Sequence, residues 1–160
     1  LQQVNPNQLV EYILGVAEGR AREKGIQLAA TLGAEVGEIE IDPGRFQQLV
    51  LNLVSNAIEA SPSGGLVEVA TGASIPSDKA LRTAKLSSQV FFEMKIRNTG
   101  AVIAQEDLQQ IFNPFYTTKS RGVGIGLTVS KKIAEDHSGS ISVKSDKEGT
   151  VFTVWLPLIH

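Results

Sequence analysis

Cysteine is absent from the 160-residue chain, so neither a disulfide framework nor a thiolate metal site is open to it. That absence fits a reducing compartment, and a cytoplasmic location is expected. An excess of either charge is missing too: 15 Lys and Arg stand against 17 Asp and Glu, for a net charge of −2. Nucleic acid and anionic membrane surfaces therefore have no broad basic face to bind, and any anion site must be local. No apolar run is long enough to span a bilayer, and the first residues lack the charged and apolar regions of a signal peptide. Direct membrane contact is not expected. Methionine occurs once, at Met94, so Leu1 reads as an internal residue of a longer protein. What remains, 42% hydrophobic and 20% charged, is enough for one globular domain over 1–160 with a sizeable core.

Periodicity divides the chain into helices and strands. Leu9, Ile13, Leu14 and Val16 recur at near-helical spacing, with Asn5 or Asn7 available as a cap and Gly25 as a stop. "IQLAATL" and "GEIEI" alternate apolar and polar residues and read as short strands, as do "GLVEVATGA" and "QVFFEMKIRN". The polar "SIPSDKALRTAKLSS" between the last two is a surface insertion. "AQEDLQQIF" reads as a short helix, and a longer one runs from Gly124 or Gly126 to about His137, with Gly139 as its left-handed cap. "SISVKS" and "TVFTVWLPL" close the chain as strands around a turn at Gly149. Phe152, Val154 and Trp155 in the last strand read as sheet packing, and His137 and His160 as a helix-end residue and a terminal residue. The pattern is that of an α+β fold, one mixed sheet with helices on one face.

The helix opened by Asp42 and Pro43 carries the first chemical signal. Its residues Phe46, Leu49, Val50, Leu53, Val54 and Ala57 define a buried arc. Asn52, Asn56 and Glu59 fall at i, i+4 and i+7 on an adjoining stripe. A solvated polar face explains Glu59 alone. Asparagine suits an exposed helix interior poorly, because its amide competes for backbone hydrogen bonds. An amide oxygen is, however, a hard neutral ligand suited to Mg²⁺ that also holds phosphate oxygens and water.

The second signal is "RGVGIGLTVSKK". Gly122, Gly124 and Gly126 precede or open a helix, where close backbone approach and a helix N-terminus favour an anion. Lys119 and Arg121 place cations beside that nest. A flexible hinge is the competing reading of the glycines alone. A P-loop is excluded because no Gly-Lys-Ser/Thr follows, and a dinucleotide fold because the glycines do not follow a strand.

Taken in order, these stretches resemble the catalytic ATP-binding domain of two-component sensor histidine kinases, within the Bergerat-fold superfamily of gyrase, mismatch-repair and chaperone ATPases. "DPGRFQQLVLNLVSNAIEAS" is similar to the family's N box, "NTGAVI" to its first glycine box, "FNPFYTTK" to its F box and "GVGIGL" to its second glycine box. The resemblance covers nearly the whole chain. It implies a two-layer sandwich with a mixed five-stranded sheet and about three helices on one face. It also implies ATP and Mg²⁺ as cofactors, a separate dimerisation and histidine phosphotransfer domain as partner, and a response regulator downstream.

Residue by residue, the resemblance makes Asn56 the Mg²⁺ ligand and Asn52 its neighbour at the phosphates, with Glu59 on the same stripe. Asn98 falls where an aspartate usually accepts the adenine amino group, and Gly100, Val102 and Ile103 follow beside the purine. Phe112, Thr117, Thr118, Lys119 and Arg121 become a lid over the nucleotide, and Gly122, Val123, Gly124, Ile125, Gly126 and Leu127 close it onto the phosphates. The catalytic set so implied is Asn52, Asn56, Lys119 and Arg121.

Two departures from the pattern bear on affinity. Asn98 can accept from the adenine amino group, but without charge assistance. Val102 replaces a glycine, disfavours positive φ and narrows the space beside the purine. "HSG" also stands where "HGG" is common. Other readings in the same superfamily are an ATPase, a serine kinase, or a module that binds nucleotide weakly or only a protein partner. Against hydrolysis, the related ATPases place a glutamate general base where this chain has Asn52.

Overall fold

In the computed structural model, which describes residues 1–34, 36–76, 89–100, 102–113 and 126–158, the chain enters through a strand that its sequence does not announce. This strand, β1 (Gln2–Val4), pairs antiparallel with β3 (Ile39–Ile41) in a small separate sheet. Between them, α1 (Pro6–Lys24) starts where Asn5 accepts from the Asn7 N–H at 3.0 Å and ends at Gly25, φ 76°. Its buried face is Val10, Ile13, Ala17 and Ala21, while Val16 is 54% exposed. The expected stripe of Leu9, Ile13, Leu14 and Val16 is thus rotated, because alanines let α1 approach its neighbours closely.

The main sheet has five strands in the order β2-β4-β5-β7-β6. They are β2 (Gln27–Leu32), β4 (Leu66–Ser74), β5 (Phe91–Asn98), β6 (Ser140–Asp146) and β7 (Gly149–Pro157). Only β2 and β4 run parallel; the other pairs are antiparallel, so the sheet is mixed as expected. The "GEIEI" strand joins β1 instead of this sheet.

The second helix, α2 (Pro43–Ala60), begins as its sequence dictates, with Asp42 accepting from the Gly44 and Arg45 N–H groups at 2.9 and 3.2 Å. Its arc of Phe46, Leu49, Val50, Leu53, Val54, Ala57 and Ile58 is buried against the sheet. The Phe46 ring meets Phe92 of β5 edge-on at 6.3 Å, worth about 1 kcal/mol beyond the area buried. At its other end Lys24 donates to the carbonyls of Ile58 and Glu59 at 3.0 and 2.6 Å, a cationic cap from α1.

A one-turn helix, α3 (Gln105–Leu108), is shorter than "AQEDLQQIF", whose remainder forms turns. The last helix, α4 (Gly126–Asp136), packs on α2 and covers β6 and β7. Ser138 at φ 62°, not Gly139, supplies its left-handed residue. Gly139 serves close approach instead: a Cβ there would collide with the Trp155 carbonyl of β7. Phe152 and Val154 belong to the core under the helices. Trp155 is buried on the opposite face with Phe91, its indole N–H donating to Glu93 at 3.1 Å. Among the described residues no helix is long and apolar enough to cross a membrane.

Candidate functional site

The polar stripe of α2 is placed as its period predicts. Asn52 and Asn56 are half-buried beside the core arc, and Glu59 is exposed near the helix end. One turn past Asn56, the carbonyl of Ala60 meets the loop that follows β5. There Gly100 has φ 149°, and an added Cβ would lie 2.9 Å from that carbonyl. Only a glycine lets the β5 loop and the end of α2 share this space.

Asn98, the last residue of β5, is 3% exposed. Its Nδ2 donates to the Thr99 carbonyl at 3.1 Å, an acceptor that only the amine end of the amide can use. The network therefore assigns Oδ1 as the group left to accept from a ligand. In the ladder Asn98 stands opposite Thr150, and Thr150 opposite Ser145 of β6. Thr150 is likewise 3% exposed, its Oγ1 is 2.9 Å from Ser145 Oγ, and Ser145 accepts from the Ile103 N–H at 2.8 Å.

Three strand ends thus carry Asn98, Thr150 and Ser145 in one row, with the two hydroxyls bonded to each other and Ser145 tied to the Ile103 N–H. Thr150 and Ser145 escape a motif-based reading. The signal that finds them is parity: each continues the core-facing alternation of Phe152 and Val154, or Ile141 and Val143, with a hydroxyl where an apolar residue would be expected.

The loop residues divide. Ile103 packs on the core, whereas Val102 has ordinary negative φ and is 55% exposed. Phe112 is anchored: its ring meets Phe152 edge-on at 6.2 Å, Lys131 Nζ sits 5.8 Å above it, and its carbonyl accepts from Thr128 Oγ1 at 2.8 Å. Leu127 packs half-buried on the core below. Thr117, Thr118, Lys119, Arg121, Gly122, Val123, Gly124 and Ile125 lie outside the described residues.

Gly126 opens α4. At the far end of that helix, Asp136 accepts from Arg45 at 2.9 Å, next to the start of α2. This guanidinium, and then Lys132 at 3.2 Å, hold the Asp136 carboxyl below its ordinary value. At about 1.5 Å of rise per residue, α4 from Asp136 back to Gly126 is as long as α2 from Arg45 to Ser55, about 15 Å. Since α4 packs along α2, the end of the glycine box comes roughly level with Asn56.

The donor set has one more property. Among the described residues no group of three or more His, Asp or Glu is arranged to hold a metal ion. A cation on this stripe would rely on amide oxygens and on oxygens that a ligand brings, the usual habit of Mg²⁺ with phosphate.

Residues 41–160 match the family model described as histidine kinase-, DNA gyrase B- and HSP90-like ATPase. The sensor histidine kinase ZraS of Salmonella typhimurium is 37% identical over 160 residues, covering 99% of this chain and 32% of the relative. The chain thus spans about a third of the length of that relative. Among solved structures, the catalytic domain of histidine kinase ThkA in a nucleotide-free form superposes with a TM-score of 0.81 at 29% identity, covering 98% of this chain and 94% of the other. A second, ThkA in complex with the response regulator TrrA, has a TM-score of 0.77 at 28% identity, over 99% of this chain and 42% of the other.

Proposed function

The chain belongs to the family of histidine kinase-, DNA gyrase B- and HSP90-like ATPases, and on that premise we propose that it binds Mg²⁺·ATP and presents the γ-phosphoryl group to a histidine on a separate dimerisation domain. The base is held at the strand ends. Asn98 Oδ1 accepts from the adenine amino group, Thr150 and Ser145 lie beside that contact, and Gly100 keeps the loop after β5 against the end of α2 next to the purine. The phosphates extend toward α2, where Asn52 and Asn56 face them, and toward Gly126 at the start of α4. Asn56 is the residue that would hold Mg²⁺, and the ion supplies charge neutralisation at the phosphates. Lys119, Arg121 and the glycine-box amides complete the neutralisation from the lid, so catalysis is mainly positioning and electrostatics.

The observation that carries transfer over hydrolysis is Asn52. It occupies the position on α2, one turn before Asn56, from which a carboxylate would take a proton from water; an amide cannot. The acceptor imidazole then comes from the partner domain, and a response regulator receives the phosphoryl group from it, in the cytoplasm.

An assay in trans tests this. The domain is mixed with a dimerisation domain of a matching kinase and γ-labelled Mg²⁺·ATP. Label is expected on the histidine of that partner, with little phosphate release in its absence. Nucleotide binding with no transfer, or fast hydrolysis without the acceptor, would overturn the assignment.

A further inference from the structure

His137 lies one residue beyond α4 and is half-buried, and its ring joins two elements that the chain separates by 95 positions. Nδ1 is 2.7 Å from the Ile133 carbonyl, and Nε2 is 3.3 Å from the Asp42 N–H. A carbonyl only accepts and an amide N–H only donates. The ring between them is therefore the neutral tautomer with its proton on Nδ1.

Both contacts fall on groups that the helices leave over. The His137 N–H bonds to Ala134 as the last turn tightens, and the Ile133 carbonyl takes its hydrogen bond from the ring. Asp42 is the cap of α2: its carboxylate accepts from Gly44 and Arg45, while its own N–H points outward to His137. Next to this bridge runs the Arg45–Asp136 ion pair at 2.9 Å. Two adjacent residues at the end of α4 are thereby tied to the first residues of α2.

We propose that His137 is a positioning residue for the nucleotide site: its bridge to Asp42 sets where α4 lies along α2, and so how far Gly126 stands from Asn52 and Asn56. The inference rests on reading α2 and Gly126 as walls of that site. The ring is the fixed end of a lever and Gly126 is the other end, about 15 Å away along α4. A small shift at Asp42 moves both partners of the phosphates relative to each other, because packed helices slide as rigid bodies. The strand β3 ends at Ile41, so the same peptide also carries the β1–β3 pairing into the cap.

Two substitutions separate this role from mere helix capping. His137→Asn keeps an amide at the Nδ1 position, facing Ile133, but cannot reach Asp42. His137→Gln places its amide oxygen near the Nε2 position and can still accept from the Asp42 N–H. Calorimetric titration of Mg²⁺·ATP should show affinity about three- to tenfold weaker in the asparagine variant, the size expected for a residue acting through a packed network. The glutamine variant should bind within about twofold of the unsubstituted chain. In nucleotide-free samples, the Gly126 amide resonance should move in the asparagine variant and stay in place in the glutamine variant.

Equal affinity in the asparagine variant, or an equal loss in both, would overturn the proposal. If the unsubstituted chain itself binds no Mg²⁺·ATP, the functional reading fails. The Gly126 resonance then decides the bridge without it: an unmoved signal in the asparagine variant rules the lever out.

Discussion

Asn98 and Thr150 stand opposite one another in the β5–β7 ladder, each 3% exposed, with the Asn98 amine turned to the Thr99 carbonyl at 3.1 Å. The arrangement leaves Oδ1 as an acceptor at the edge of the core, a group that suits an amino substituent and repels a carbonyl. Asn98→Ala should therefore abolish the preference for ATP over GTP in competitive titration. Removing a buried amide also costs about 1–3 kcal/mol of stability. Thr150→Val preserves volume and removes only the hydroxyl, so it should weaken ATP by several-fold with a smaller loss of stability. Retained base selectivity in Asn98→Ala would remove Asn98 from the base site.

Asn56→Ala addresses the metal. The difference in ATP affinity between Mg²⁺ and chelator should disappear. An undiminished metal dependence would show that the cation is held elsewhere.

Ser138 carries φ 62° at the end of α4, a conformation that costs a non-glycine residue roughly 1 kcal/mol. Ser138→Gly should relieve it, less the extra freedom that glycine gains when unfolded, for a net gain of up to about 0.5 kcal/mol. Thermal unfolding should rise by up to about 2 °C. Gly139→Ala is the contrasting variant: it meets the Trp155 carbonyl and should destabilise, whatever backbone angle it adopts.

Asp136 gives a pH dependence of known sign. Arg45 and Lys132 lower its carboxyl in the folded chain below the ordinary 3.8. A depressed acid contributes stability above its unfolded value and loses it as pH falls through the folded one. The unsubstituted chain should melt above Asp136→Asn at pH 6, and the two curves should converge in acid as pH falls through the lowered folded value. Salt should narrow the gap at pH 6, since the pair is at the surface. A gap that widens in acid would contradict the assignment.

Much of this was local and therefore legible. Asp42 and Pro43 start α2 by supplying an acceptor and a preset φ, and the apolar period that follows fixes which side faces the sheet, so Asn52 and Asn56 could be placed beside the core from sequence. Alternation also marked β5 and β7 as strands and Phe152, Val154 and Trp155 as packing residues, though not that Trp155 faces the other side of the sheet.

The rest depended on partners. Three residues of β1 have no period to read, and they form a strand only because β3 offers them an edge. Val16 lies outside because Ala17 and Ala21 admit closer packing, and Ser138 takes the left-handed angle because Gly139 is needed against β7. The row of Asn98, Thr150 and Ser145 exists only once β5, β7 and β6 are in register. His137 could be assigned to a helix end from sequence, but its ring bonds to Asp42 only because α4 lies along α2. A sequence determines each element's own face, since periodicity and caps are properties of neighbouring residues. Which faces meet, and at what register, is decided by burying them together, and that alone set the loop after β5 against the end of α2 and packed α4 on α2.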